Sequence, residues 1–320
     1  MWQSPPQHGV CGEEPKGLKD YEDMLFLQGA SHDHLKELML WEEQVRGRGP
    51  QADVLGGQRE QVLHGMMNLA ARSQMNQDGW SCAVSLLDSY LASLGAEDVT
   101  KGTQMLPLTC VAVLRLVKKF HGNVAEPKGS FNMWLSMAKQ VLPIQGKWME
   151  FSETMLRQHE VDILQSVQWQ VQEPLQQQFL NIYCTRLGAM TSQQYEPQIA
   201  WVKQKSMFFA RLLLFVESAS ENSPQEFALG MFCLHLARGQ LLSLHSLRPD
   251  EVPVAYWTSA LQQLSLPCNV EASSFQALPL VEAATAASRR ELKEATRRGV
   301  ERLLELRVKH PAMRAALNSE

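Results

Sequence analysis

The side chains best equipped for chemistry in this 320-residue chain are its nine histidines and six cysteines, the common zinc ligands, bases and nucleophiles of enzymes. A metal site needs three or four of them to converge. On one helix that takes a spacing such as His-Glu-x-x-His, which turns both imidazoles to the same side. The chain has no such motif and no Cys-x-x-Cys pair, and only His32-Asp33-His34 sets two candidates close together. Two ligands do not make a site, so neither a metal nor a cofactor is expected. Cys11, Cys82, Cys110, Cys184, Cys233 and Cys268 stand singly, mostly within apolar stretches, and read as reduced core residues. Cys233 and His235, two positions apart, point in different directions on a helix and read as a core thiol and a core imidazole. There is no Gly-x-Gly-x-x-Gly, no Gly-Lys-Ser/Thr and no Gly-x-Ser-x-Gly, so phosphate cradles and the nucleophile elbow have no support. The expectation is a binding or regulatory protein and not an enzyme.

Composition narrows the partners. Lysine plus arginine number 30 against 34 acidic residues, a formal charge of −4, which gives no general attraction to phosphate backbones. No window holds the roughly 18 uncharged apolar residues a membrane span needs; the nearest, Leu106 to Val117, is short and contains Arg115. The first residues, Met1 to Pro6, have neither a basic start nor an apolar stretch, so the chain is expected in the nucleus, the cytoplasm or both, and not secreted.

The elements expected to position any site are helices. Strand alternation and hairpin dipeptides are nearly absent, and there is no repeat of 20 to 50 residues. Trp80, Ala83, Leu86, Leu87, Tyr90, Leu91 and Leu94 recur at steps of three and four, and Gly95 follows as a stop. Leu106 to Val117 is apolar on nearly every face and should be the hub of a bundle, with Pro107 in its first turn, where a missing N–H costs nothing. Met155, Leu156, Ile163, Leu164 and Val167 mark a helix ending before Pro174. The pattern restarts at Phe179 to Leu187, Trp201 to Ser218, Ser223 to Leu244 and Trp257 to Leu264. Ser223-Pro224-Gln225-Glu226 is a capping box that opens a second hub. Two helical halves, each around one buried helix, are the expected architecture.

Gln58 to Pro174 resembles a cyclin box, the five-helix fold of the regulatory subunits of cyclin-dependent kinases. In mitotic cyclins an Arg of the first helix pairs with an Asp of the second, and here Arg59 precedes Asp88 of Leu87-Asp88-Ser89-Tyr90-Leu91 by the family's 29 residues. Val117-Lys118-Lys119-Phe120 is similar to the Ala-Ser-Lys-Phe signature. His159-Glu160, followed by an apolar pattern through Leu164 to Trp169, is similar to Met-Glu and its trailing aromatic. Tyr21-Glu22-Asp23-Met24-Leu25 and Leu35 to Glu43 resemble the helix before the box, Phe179 to Leu266 follows the order of the second box, and Lys309-His310 is similar to the Lys-Tyr before the closing tail. The resemblance implies an all-α fold of two tandem five-helix cyclin-box bundles with an N-terminal and a C-terminal helix. Its divisions are 1–50 for the arm and helix, 51–174 for the first box, 175–275 for the second and 276–320 for the helical tail.

The same resemblance implies a heterodimer with a cyclin-dependent serine/threonine kinase, which the chain would activate in cell-cycle progression. Lys119, Phe120, Glu160, Leu164 and Trp169 would bind the kinase, and Arg59 with Asp88 would be a structural charge pair. In the family's substrate-docking patch Gln58 and Gly65 replace Met and Trp, leaving Val62 as the apolar position; docking there is expected to be weak or absent. The 41-residue interval from Lys119 to Glu160 is longer than in mitotic cyclins and calls for extra chain around Met133 to Met149. His121-Gly122 replaces an acidic pair. Arg238-Gly239-Gln240-Leu241 fits a minimal destruction signal but falls inside an expected buried helix. Arg289-Arg290 to Arg297-Arg298, interleaved with Glu291, Glu294 and Glu301, reads as a salt-bridged helix. A cyclin-fold scaffold without kinase activation is one alternative. A general transcription factor of the same fold is the other, although it would need basic surfaces and usually a zinc ribbon.

Overall fold

A computed structural model of the chain describes residues 19–46, 55–94, 99–121, 130–142, 151–171, 174–191, 193, 195–215, 223–239, 241–242 and 278–309. Among them the protein is all-α, with eleven α-helices, one short 3-10 turn at Gly56–Gln58 and no strand. The helices are α1 (Lys19–Arg46), α2 (Arg59–Arg72), α3 (Gln77–Ser93), α4 (Val99–His121), α5 (Ser130–Val141), α6 (Glu153–Ser166), α7 (Gln176–Met190), α8 (Glu196–Leu214), α9 (Pro224–Arg238), α10 (Leu278–Thr285) and α11 (Arg289–Lys309). The expected helix at Trp257 to Leu264 lies outside the described residues, as do Cys11, Cys268, Gly122 and His310. No helix among the described residues is long and apolar enough to cross a membrane.

The apolar side chains form two clusters. The first is built by α2 to α6 around α4, whose Leu106, Leu108, Val111, Val113, Leu114 and Val117 are all buried. Burial on every side is what an all-round apolar sequence requires. Pro107 is not in the first turn: α4 begins eight residues earlier, at Val99, so the proline sits inside the helix and deprives one carbonyl of its donor. Two residues on, the Thr109 hydroxyl donates to the Met105 carbonyl at 3.0 Å. Where α2 meets the end of α5 the contact depends on Gly65, because a Cβ there would lie 2.9 Å from both Leu142 Cδ2 and the Val141 carbonyl oxygen.

The second cluster surrounds α9, with Phe227, Met231, Phe232, Cys233 and Leu236 buried, and draws on α7, α8, α10, α11 and also α1. Ser223 caps α9 by accepting the Glu226 N–H at 3.0 Å, with Pro224 at the first helical position. The Glu226 carboxylate pairs with Arg298 at 2.5 Å, and the carboxylate that meets the N-terminus of α9 belongs to Glu42 of α1. Glu42 accepts from the Ser223 hydroxyl and, at 3.3 Å, from the Gln225 N–H. A negative group is favoured there by the helix dipole. Leu35 and Leu38 bury the same face of α1 in the second cluster. Helix α9 stops at Arg238 with Gly239 as its cap, short of the Leu244 expected from apolarity alone. Arg238 is buried, its guanidinium 5.3 Å from the Trp201 ring centre. Residues 278–309 belong to this core through Val281, Leu292, Val300 and Leu303, and Arg186 of α7 ties α10 in by donating to the Ala283 and Ala284 carbonyls at 2.8 and 2.7 Å. On the outer side of α11, Arg297 bridges Glu294 and Glu301.

The buried thiols and the buried His235 imidazole are neutral. Burial raises the thiols of Cys110, Cys184 and Cys233 to about 12 and that of Cys82 to about 11. His235 is pushed down to about 3 by burial, reinforced by Arg238, while its Nδ1–H donates to the Met231 carbonyl at 2.7 Å. The unfolded chain takes up a proton near pH 6.5 that the folded chain refuses, so this contribution to stability is complete above pH 6.5 and lost as pH falls. Urea titrations should therefore show about 2 kcal/mol less stability at pH 5 than at pH 7.5 from this residue, and His235→Gln should remove that part of the slope. An unchanged slope in the variant would assign the pH dependence elsewhere.

Candidate functional site

The C-terminal turn of α4 carries Lys118, Lys119, Phe120 and His121, with the two lysines placed where the helix dipole favours cations. Neighbouring positions on a helix point about 100° apart, and the two lysines part company accordingly. Lys118 lies 5.7 Å from the ring centre of buried Trp134 and donates to the Ser73 carbonyl at 2.6 Å, so it holds α4, α5 and the end of α2 together. Lys119 turns to α6, where its Nζ donates to Glu160 Oε2 at 2.6 Å.

Glu160 is held from two sides. Its Oε1 lies 3.2 Å from Arg115 Nη1, an ion pair off the hydrogen-bonding direction, and both side chains are deeply buried, at 8% and 5% exposure. The adjacent His159 is buried against Tyr90, with its rings edge-on, and its Nε2 meets Thr109 Oγ1 at 2.8 Å. Because the Thr109 hydroxyl donates to Met105, Nε2–H is the donor to Thr109. Burial lowers the His159 pKa, so the ring stays neutral. A hydroxyl beside an imidazole can look like a nucleophile and its base, but here both are buried and the hydroxyl proton already has an acceptor. The group locks α4 to α6 and does no acid–base work.

Ser152 opens α6 by accepting the Met155 N–H at 3.2 Å. The helix ends at Ser166 and runs into a strained turn. Gln168 and Trp169 have φ of 54° and 63°, a left-handed conformation that costs a side-chain-bearing residue roughly 1–2 kcal/mol each. The turn is closed by the Trp169 N–H, which donates to the Leu164 carbonyl at 2.7 Å. Its effect is to set the Trp169 ring in solvent at 66% exposure; Phe120, at the end of α4, is 62% exposed. Met155 and Val161 add exposed apolar surface on α6, whereas Leu164 packs largely into the first core. Trp169, Phe120 and Lys119 thus reach solvent at the ends of α4 and α6, and exposed aromatics are of the kind enriched where proteins meet.

No protein-family model matches the chain, and no curated protein matches it. The site stands on its geometry alone.

Arg59 and Asp88 form a buried bidentate pair, Nη1 to Oδ1 at 2.6 Å and Nη2 to Oδ2 at 2.8 Å. The remaining Nε–H of Arg59 donates to the Leu214 carbonyl at 3.0 Å, at the end of α8. The pair therefore joins α2 to α3 and also the first half of the chain to the second. Among the docking-patch positions, Gln58 is exposed, but Val62 is 1% exposed and belongs to the first core, and Gly65 lies under Leu142. Val62 is thus not a surface position, because the face of α2 that carries it packs inward. His32, Asp33 and His34 lie on α1, and no group of three or more His, Cys, Asp or Glu among the described residues could hold a metal ion. Met133 of the lengthened interval lies on α5, while 143–149 fall outside the described residues. Arg115 was not among the candidates. A lone Arg in an apolar run carries no sign of its partner, which stands 45 residues later on another helix.

Proposed function

We propose that the chain is a cyclin-type regulatory subunit that binds a cyclin-dependent serine/threonine kinase and activates it in cell-cycle progression, in the nucleus, the cytoplasm or both. Such a kinase is active only when the glutamate of its mobile helix pairs with its ATP-positioning lysine. A partner that binds the helix-in state more tightly shifts the population toward it and needs no chemistry of its own. In this reading Lys119 grips backbone carbonyls beside that helix, while Phe120 and Trp169 supply apolar contact.

The observation that carries the reading is the Lys119–Glu160 contact at 2.6 Å, made between two residues nominated only by a resemblance and 41 positions apart in the chain. The helices that carry the two residues each end in an aromatic ring left in solvent, Phe120 on α4 and Trp169 just past α6. The test is to recover the purified chain from a lysate of its own organism and assay the bound fraction for protein kinase activity. The comparison is Lys119→Ala/Trp169→Ala, in which Glu160 stays in place because its removal would strand the buried Arg115. Activity with the wild-type chain and at least about tenfold less with the variant is the expected result, since truncating an exposed interface tryptophan commonly costs that much. Absence of kinase activity in the wild-type fraction overturns it.

One observation favours a cyclin-fold scaffold instead: Glu160 is buried and engaged by two cations of its own chain. The same assay separates the two, because a scaffold recovers no kinase activity.

A further inference from the structure

Helix α4 buries a charge where its neighbours are apolar. Arg115 stands between Leu114 and Leu116 and is as inaccessible as they are. Burying a guanidinium is costly unless a carboxylate meets it, and Glu160 does. Arg115 and Lys119 are four residues apart and so lie on one stripe of α4. A single carboxylate from α6 spans the two, with Oε1 toward the inner cation and Oε2 on the outer one. Of the three side chains only Lys119 reaches solvent to any extent, at 39% exposure.

We propose that Arg115 is a positioning residue for the kinase-binding site: it keeps Glu160 turned inward, and Glu160 in turn fixes the Lys119 ammonium at the rim. Lys119 then meets the partner's backbone carbonyls and the two aromatic rings its apolar side chains, while Glu160 acts through Lys119. This inference rests on the reading under Proposed function and assigns the work within that site. Without Arg115 the carboxylate has one cation left, so it draws Lys119 inward or follows it outward, and the ammonium loses its fixed place. A partner must then order that side chain itself, at a cost paid in affinity.

The test is a titration of the kinase recovered by the wild-type chain, stripped of it and reactivated with wild type, Arg115→Met, Arg115→Lys, Lys119→Ala and the Arg115→Met/Lys119→Ala pair. Circular dichroism at the assay temperature checks folding. Arg115→Met should raise the half-activating concentration about tenfold with the plateau unchanged, and Arg115→Lys should recover most of the loss. The decisive comparison is the double variant, which should be no weaker than Lys119→Ala alone. Should Arg115→Met fail to fold, Arg115→Gln, which keeps a hydrogen-bond donor beside Glu160 and removes the charge, serves in the same cycle with the same expectation. An Arg115→Met effect as large in the Lys119→Ala background as in wild type, or no effect at all, overturns the inference and leaves the parent reading standing. A wild-type chain that recovers no kinase activity overturns the parent reading.

Discussion

Asp88→Ala lowers the unfolding free energy by about 4 kcal/mol, because it leaves the Arg59 guanidinium buried without a counter-charge. That is a large share of the 5–15 kcal/mol that holds a typical protein together. Arg59 cannot escape to water by a rotamer change while its Nε–H is bonded to the Leu214 carbonyl. The loss should therefore be felt in both halves of the chain. Replacing both partners, as in Arg59→Met/Asp88→Leu, removes the two charges together and should recover most of the stability while losing the tie to α8. Urea unfolding followed by circular dichroism measures all three proteins. If the double variant is as unstable as Asp88→Ala, the cost is lost packing and not a stranded charge.

Gly230→Val costs about 3 kcal/mol, for a reason that lies in backbone and not in charge. A Cβ built on Gly230 would sit 2.4 Å from the Ala295 carbonyl oxygen, and Gly299 of α11 brings its own backbone against Gly230. Helices α9 and α11 therefore touch main chain to main chain, and nothing at the contact can rotate away. Even Gly230→Ala, which by helix propensity alone would gain up to about 1 kcal/mol, should come out destabilising because α11 must shift as a body. Thermal unfolding of Gly230→Ala and Gly230→Val gives the answer, and a stabilised alanine variant would show that the crossing is looser than this.

Local signals in the sequence predicted local structure well. The apolar periodicity around α4 and α9 and the Ser-Pro start of α9 correspond to buried helices and a real cap, because each is decided within a few residues. Helix ends fared less well. Pro107 looked like a beginning, but the packing of α4 in the first cluster outweighs the one hydrogen bond a proline removes. The apolar run after Arg238 looked like more helix, but Gly239 ends α9 first. At the candidate site, Lys119 and Glu160 were nominated by resemblance and lie in contact, yet Arg115 was legible only as a charge in an apolar run and not as the partner of Glu160. Val62 was assigned to a degenerate docking patch by resemblance, yet it is buried, and an apolar residue on α2 shows no preference between core and patch until α3 to α5 are in place around it. Both are matters of which distant helix covers which face, and a single sequence carries no local trace of that.

The placement of α1 has a consequence for the order in which the molecule assembles. Helix α1 leaves the ribosome before the other described helices, but its buried face is completed by α7 and α9, and the bond from Ser223 to Glu42 closes an interval of 181 residues. The first bundle draws almost wholly on one continuous stretch and can collapse as soon as that stretch has emerged. During the interval Leu35 and Leu38 have no site to fill. The nascent chain thus carries an unpaired amphipathic segment past a bundle that has already formed, and the second bundle becomes complete only when α10 and α11 arrive.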